Sequence, residues 1–243
     1  MPPTLPPMPD DWSRLLTVVA HPDDLEYGVA SAVARWTAQG RQVSYLLATR
    51  GEAGIDAIAP AEAAVLRQAE QHASAAIVGV TDVTFLDHPD GTVSYGPALR
   101  RDIARHIRRL RPDVLLSTTG ALTWGDRNLN QADHRAVALA AFDAAKDAGN
   151  RWIFPELADE GLAPWAGVRS VYVFGSQTPT HAIDVTDSID TGVRSLRAHR
   201  AYLEGLGRDF DPDLFIKSMS TQAGELAGCR YAVAVEQVNL TSV

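Results

Sequence analysis

The sequence is nearly free of cysteine: Cys229 is the single thiol in 243 residues. That excludes an internal disulfide and any thiolate metal cluster, so a bound metal must be held by nitrogen and oxygen. A basic excess is missing as well. Lys and Arg number 22 against 30 Asp and Glu, a formal net charge of −8, which is the opposite of the footprint general nucleic-acid binding needs. No apolar run reaches the roughly 18 residues of a membrane span. The opening MPPTLPPMPDDW has neither the basic nor the apolar region of a secretory leader, so a cytoplasmic protein is expected. The GxGxxG fingerprint of a dinucleotide site is absent too, which argues against a nucleotide-dependent dehydrogenase. What is present is ordinary globular composition, with 46% hydrophobic and 21% charged residues, in a chain long enough for one large core.

Residues 1–11 are Pro-rich and read as an irregular, polyproline-like arm; residues 12–243 read as a single domain. LLTVVA (15–20), QVSYLLAT (42–49), DVTFLD (82–87) and DVLLST (113–118) are short apolar runs suited to buried strands. Helical stretches follow each: 27–39 stopped by Gly40, 61–78 with Pro60 near its start, 97–110 ended before Pro112, and 132–148. Strand and helix alternating four times predict an α/β fold, a mostly parallel sheet with helices on both faces. After Gly149 the pattern changes. Residues 168–175 and 181–185 read as strands, 187–206 and 212–226 as helices, and 231–237 as a last strand.

In such sheets ligands bind beyond the carboxyl ends of the strands, where strand order reverses. The loop after the first strand reads AHPDDLEYG, with His21, Asp23, Asp24 and Glu26. Anionic side chains stand where a pyrophosphate would need backbone N–H groups, so the loop suits a cation. His21 and Asp24, three residues apart on a strand-to-helix turn, can converge on one metal. The third ligand of a catalytic zinc site must come from a neighbouring strand. If strands one and four flank the reversal, His134, at a helix start in NLNQADH, supplies it. Asp23 then points elsewhere on the turn and can take a proton from a metal-activated water. Read singly, these residues have plainer uses: Asp23 or Asp24 as a helix cap, and Asp133-His134 as a solvated helix start. Their convergence favours the metal. His88, His106 and His199 read as surface or core residues and His72 as structural. His181 opens a late strand that could approach the site. Arg50 and Glu52 are expected to pair at the surface, and Trp124 lies in the loop leading to His134.

AHPDDLE, TRGEAG and the later DH resemble the LmbE-like, or PIG-L, family of metal-dependent N-deacetylases, over about residues 15–206. The resemblance implies a Rossmann-like fold and a zinc held by His21, Asp24 and His134, with Asp23 as general base. It implies sugar contact by Arg67 in VLRQAEQHA and substrate binding by Asp90 in DHPDG. DVTDSIDTGVRSLRAHRAYL is similar to a late family segment whose helix packs beside the site, with His181 just before it. Many members read His-x-x-His before the last ligand; here the first of these positions is Gln131. Gln can donate a hydrogen bond to an oxyanion but cannot act as an acid. Asp23 or His181 is then left to deliver the proton to the amine.

The implied activity is hydrolysis of an N-acyl group, N-acetyl above all, on an amino sugar or its conjugate. Two alternatives stand beside it: an amidase of a thiol conjugate or natural-product amide, and a non-catalytic small-molecule-binding member of the fold, which only Gln131 supports. The expected partner is a small N-acyl amino sugar, with no nucleic acid and no membrane span; a homo-oligomer is allowed. The His/Asp ligand set suits Zn2+, and also Fe2+, Mn2+ or Co2+.

Overall fold

The computed structural model describes residues 4–240, apart from the side chain at 126; the first three residues of the Pro-rich arm and the last three of the chain lie outside the described residues. Seven strands form one sheet: β1 (Arg14–Val19), β2 (Gln42–Leu47), β3 (Asp82–Phe85), β4 (Val114–Thr118), β5 (Ser170–Phe174), β6 (His181–Asp184) and β7 (Ala232–Asn239). Their spatial order is β3-β2-β1-β4-β5-β7-β6. The first five are mutually parallel, and β7 runs antiparallel between β5 and β6. The chain steps from β1 outward to β3, then returns to place β4 on the other side of β1. Strand order therefore reverses between β1 and β4, which opens a crevice at their carboxyl ends.

Alternation along β1 shows why both sheet faces are covered. Leu15 and Val19 join one apolar cluster with Tyr45, Leu116 and Phe174. Leu16, Val18 and Ala20 join the other with Leu46, Leu115 and Val171. Successive side chains point to opposite faces, so a strand apolar at nearly every position needs helices on both sides. On the first face lie α2 (Ala30–Ala38) and α7 (Ile189–Leu196); on the second lie α4 (Pro97–Leu110) and α5 (Ala132–Asp147). The inner face of α5 is built largely from alanines, among them Ala136, Ala140, Ala141 and Ala144, which let it lie close to the sheet.

Two helices expected to be continuous are broken. The stretch 27–39 is α1 (Asp24–Gly28) and α2, separated by Val29 at φ −138°, ψ 0°. A side chain at Gly28 would meet the Phe174 ring at 2.4 Å, so the break is seated on that ring. The stretch 187–206 is α7 and α8 (Arg200–Gly205), interrupted around the buried His199. A short α6 (Glu156–Asp159) lies where no element was expected. The helices α3 (Pro60–Ile77) and α9 (Pro212–Ala227) both open on proline, and Asp211 caps α9 by accepting from the Asp213 N–H. The described part of the arm does more than extend: Ala182 donates to the Pro6 carbonyl and accepts from the Met8 N–H, which closes the outer edge of β6.

Candidate metal centre and active site

The turn after β1 and the start of α5 together bring three donor atoms to one point, two from the turn and one from His134. Asp24 Oδ2 accepts from the backbone N–H groups of Ala20 and His21, at 3.0 and 2.9 Å. That saturates one oxygen and leaves Oδ1 facing His134 Nε2 at 3.0 Å. His21 Nδ1 lies 3.2 Å from His134 Nε2 and 3.8 Å from Asp24 Oδ1. Bonds of about 2.0–2.1 Å in a tetrahedral site require ligand atoms about 3.3 Å apart. The triangle of 3.0, 3.2 and 3.8 Å fits that requirement.

The far sides of both rings are fixed. His21 Nε2 faces Asp90 Oδ1 at 3.0 Å and Asp133 Oδ2 at 3.3 Å, so the hydrogen-bond network assigns its proton there and frees Nδ1. His134 Nδ1 lies 3.0 Å from Asn130 Oδ1, whose amide nitrogen donates to the Thr119 and Ala121 carbonyls. This assigns the Asn130 orientation and leaves His134 Nε2 free for the metal. Burial alone would lower the pKa of His21, but hydrogen bonds to Asp133, Asp24 and Asp90 raise it well above the ordinary value. In His134 burial is likewise overcome, by the charge of Asp24. Burial pushes Asp24 up, yet the two imidazoles hold it far below the carboxylate range. A metal must displace those imidazole protons, so its binding is coupled to proton release.

Asp23 is separate from this triangle. It is buried and sits at φ 87°, ψ −22°, a left-handed conformation that costs a non-glycine residue about 1–2 kcal/mol. Its surroundings impose it: its N–H donates to Gln71 Oε1 at 3.0 Å, and its Oδ2 accepts from Arg67 Nη2 at 3.1 Å. Gln71 and Ser74 in turn donate to Glu26 Oε1, at 2.8 and 2.6 Å, and His199 lies 3.6 Å from the other Glu26 oxygen. Burial raises the Asp23 carboxyl to about 6; Arg67 offsets part of that and the charge of Asp24 adds to it. A carboxylate poised there can exchange protons near neutral pH.

Around these groups is a cavity of about 1030 Å³ lined by His21, Asp23, Asp24, Asp90, Gln131 and His134, among others. The structure therefore brings seven of the eight expected site residues to one cavity, since Arg67 also lines it. Two of them are turned to other tasks. The Arg67 guanidinium is 2% exposed, pairs with Asp23 and stacks over the Tyr202 ring at 4.0 Å. Asp90 has both oxygens engaged, by His21 and by the Ala53 N–H. His181 is the exception. It sits on β6 beside Thr180 and the Tyr172 ring, three strand positions from β4, on the order of 14 Å at the spacing of a sheet, and it does not line the cavity. The insertion of β7 between β5 and β6 is what carries it away. Arg50 pairs with Asp87 rather than Glu52, whose side chain accepts from the Arg50 and Asp90 N–H groups. Trp124 does reach the site, with its ring 5.9 Å from His134.

Asp133, Asn130, Gln71 and Tyr202 support the site without having been assigned roles from the sequence. Asn130 had a readable signal, four residues before His134, and Asp133 adjoins it. Gln71 and Tyr202 had none, because they come from distant helices. Burial, followed by the charge of Asp23, holds the Tyr202 phenol well above its usual pKa, so it stays protonated.

Residues 16–145, more than half of the chain, match the profile of the GlcNAc-PI de-N-acetylase family, PIG-L. The chain belongs to this family. Diacetylchitobiose deacetylase of Thermococcus kodakarensis is 26% identical over 232 residues, covering 94% of this chain and 84% of that protein. A PIG-L relative from Kineococcus radiotolerans, 1D-myo-inositol 2-acetamido-2-deoxy-alpha-D-glucopyranoside deacetylase, is 30% identical over 201 residues, covering 67% of this chain and 52% of that protein. Among solved structures, N,N'-diacetylchitobiose deacetylase of Pyrococcus horikoshii superposes with a TM-score of 0.84 at 22% identity, covering 94% of this chain and 85% of that one. The 4-carboxy-2-hydroxymuconate hydratase GalB of Pseudomonas putida superposes at 0.76 with 21% identity, covering 95% and 98%. The PIG-L fold thus carries more than one reaction, and the fold by itself does not select among them.

Proposed function

We propose that this PIG-L chain is a metal-dependent N-deacylase that removes an acetyl group from an amino sugar or amino-sugar conjugate. The observation that carries the reading is the pairing of a His21–Asp24–His134 triangle with a separate buried carboxylate, Asp23, whose pKa lies near 6. The names of the deacetylase relatives support it. Zinc is the proposed ion, because two imidazoles and one carboxylate with an open side suit it; the same donors accept iron, manganese or cobalt.

His21 Nδ1, His134 Nε2 and Asp24 Oδ1 would hold the ion. When bound, it would supply Lewis acidity that acidifies water and polarises the acyl carbonyl. Asp23 takes the proton of the attacking water and, held by Gln71 and Arg67, keeps one orientation while doing so. Gln131, at the start of α5 and lining the cavity, donates a hydrogen bond to the acyl oxygen as it gains charge. Protonated Asp23 then returns the proton to the leaving nitrogen. Arg67 is assigned to positioning Asp23, and Asp90 to orienting His21.

The test is release of free amine, followed with an amine-reactive fluorophore, from N-acetylglucosamine, diacetylchitobiose and an N-acetylglucosaminyl inositol, using protein whose metal content is measured in parallel. Amine release from at least one substrate is the expected result. Metal-replete protein that releases none from any of them would refute the reading.

A further inference from the structure

Arg67 holds the Asp23 carboxylate, and its own surroundings hold Arg67. Its Nη2 alone serves both partners, the Asp23 carboxylate at 3.1 Å and the Pro22 carbonyl, while Nε has no hydrogen-bond partner in the protein. One nitrogen is a narrow anchor for so long a side chain, so packing must supply the rest. The turn 51–54 lies close against the guanidinium: a side-chain carbon at Gly54 would meet Nη1 at 2.4 Å, and one at Gly51 would meet Cζ at 3.2 Å. Over the guanidinium lies the Tyr202 ring, its centre 4.0 Å from Cζ, an arrangement in which a cation and an aromatic face attract. Tyr202 is placed by α8. Ala201, beside it, donates its N–H to Glu70 Oε1 at 2.6 Å. Glu70 follows Arg67 by three residues on α3, so the two share a side of that helix. The start of α8 is thereby tied to the helix that carries Arg67. The Tyr202 phenol meets the Asp23 carboxylate and the Tyr27 phenol, and Tyr27 packs in turn against Phe210 and Phe215, each at 5.6 Å. Burial and the charge of Asp23 keep the Tyr202 phenol protonated, so it faces the carboxylate as a donor.

We propose that Tyr202 is a positioning residue for the base: its ring clamps the Arg67 guanidinium and its hydroxyl donates to the Asp23 carboxylate. The proposal rests on the deacylase reading for the role of Asp23; the contacts themselves are read from the structure. A carboxylate with a single donor can turn about its Cβ–Cγ bond, and a second donor from another helix fixes its plane. The base then meets the attacking water in one orientation, and orientation is where such a group gains much of its rate. Tyr202 acts on the reaction only through Asp23. By covering Arg67 it also commits that guanidinium to the base instead of to a sugar hydroxyl.

Tyr202→Phe keeps the ring and removes the hydroxyl, and Tyr202→Leu removes both. With a substrate that releases amine, kcat should fall about 10- to 100-fold in the Phe variant and further in the Leu variant. KM should stay within about two-fold of wild type, with metal content unchanged and melting temperatures confirming folded protein. In an Asp23→Asn background the Tyr202→Phe change should alter kcat by less than about two-fold, because the residue acts through the base alone. Wild-type kcat in Tyr202→Phe, a loss expressed in KM instead of kcat, or a full effect in the Asp23→Asn background would each overturn the proposal. A second readout needs no turnover. With ring-fluorinated tyrosine at all six tyrosine positions, the fluorine NMR signal lost in Tyr202→Phe belongs to residue 202, and Asp23→Asn should shift it. An unmoved signal means that the hydroxyl does not meet Asp23, and it overturns the proposal whether or not the protein hydrolyses anything. A shifted signal in a metal-replete protein that releases no amine upholds the contact while the deacylase reading falls, so the two can fail independently.

Discussion

Asp23→Asn tests the proposed chemistry with the least damage to the fold. Asn is among the few residues that accept the left-handed conformation found at φ 87°. Its side-chain oxygen can still accept from Arg67, and its backbone N–H still donates to Gln71. The Asp24 carboxylate is held by the Ala20 and His21 N–H groups, so the triangle does not depend on Asp23 and the metal should remain. What is lost is proton transfer. General-base catalysis contributes roughly 10²- to 10⁴-fold, or about 2.7–5.4 kcal/mol of barrier, and kcat should fall by that factor with metal content unchanged. The wild-type profile carries the same information: a base with a pKa of about 6 is mostly ionised at pH 7, so kcat/KM should fall about ten-fold per unit below 6. Turnover and metal content are read on the same samples. A metal-replete Asn variant that keeps more than about a tenth of wild-type turnover would remove Asp23 from the mechanism, as would an acid limb near the ordinary carboxylate value. Asp23→Ala is a poor substitute, because it adds left-handed strain and leaves the buried Arg67 charge without its carboxylate counterpart.

Other outcomes follow from the same geometry. His134→Ala should remove one corner of the triangle and abolish stoichiometric metal, measured by elemental analysis; metal retained at wild-type level would mean the ion sits elsewhere. Because carboxylates raise both ligand imidazoles, apparent metal affinity should rise with pH, by about 10- to 100-fold per unit while one or two protons are displaced, a slope that competition with a chromophoric chelator can measure. Gln71→Leu leaves the Asp23 N–H unsatisfied and should cost about 1–3 kcal/mol in denaturant unfolding, with a fall in kcat larger than any change in KM. Burial opposes both charges of the His199–Glu26 pair, yet their mutual attraction raises His199 above its ordinary 6.5 and lowers Glu26 below its ordinary 4.5. The His199 contribution is complete below about 6.5 and lost as pH rises through its folded pKa. The Glu26 contribution is complete above about 4.5 and lost as pH falls through its folded pKa. Their joint stabilisation is therefore greatest between those values, and His199→Gln should flatten the alkaline side of the unfolding curve; an unchanged curve would show that the pair contributes nothing.

The sequence by itself determined the parallel half of the sheet and the first turn. Runs such as Leu15–Ala20 are apolar at nearly every position, which only a strand covered on both faces tolerates, and the spacing of His21, Asp23 and Asp24 is local enough to read as a turn offering several donors. It also made His134 a candidate, because strand order in a four-fold alternation has few solutions. The tertiary structure decided what depends on contacts between distant segments. Asp24 Oδ1 rather than Oδ2 is available because two backbone N–H groups occupy the other oxygen. Arg67 turns to Asp23 because its buried guanidinium meets the Asp23 carboxylate and the Pro22 carbonyl inside the fold. His181 is carried away by the late strand β7, whose antiparallel insertion no local pattern announces. The break at Val29 lies beside Gly28, which leaves no room for a side chain next to the Phe174 ring of β5, a contact between distant parts of the chain that no helical periodicity encodes. Local spacing fixes which donors can meet; only long-range packing fixes which atoms of those donors remain free.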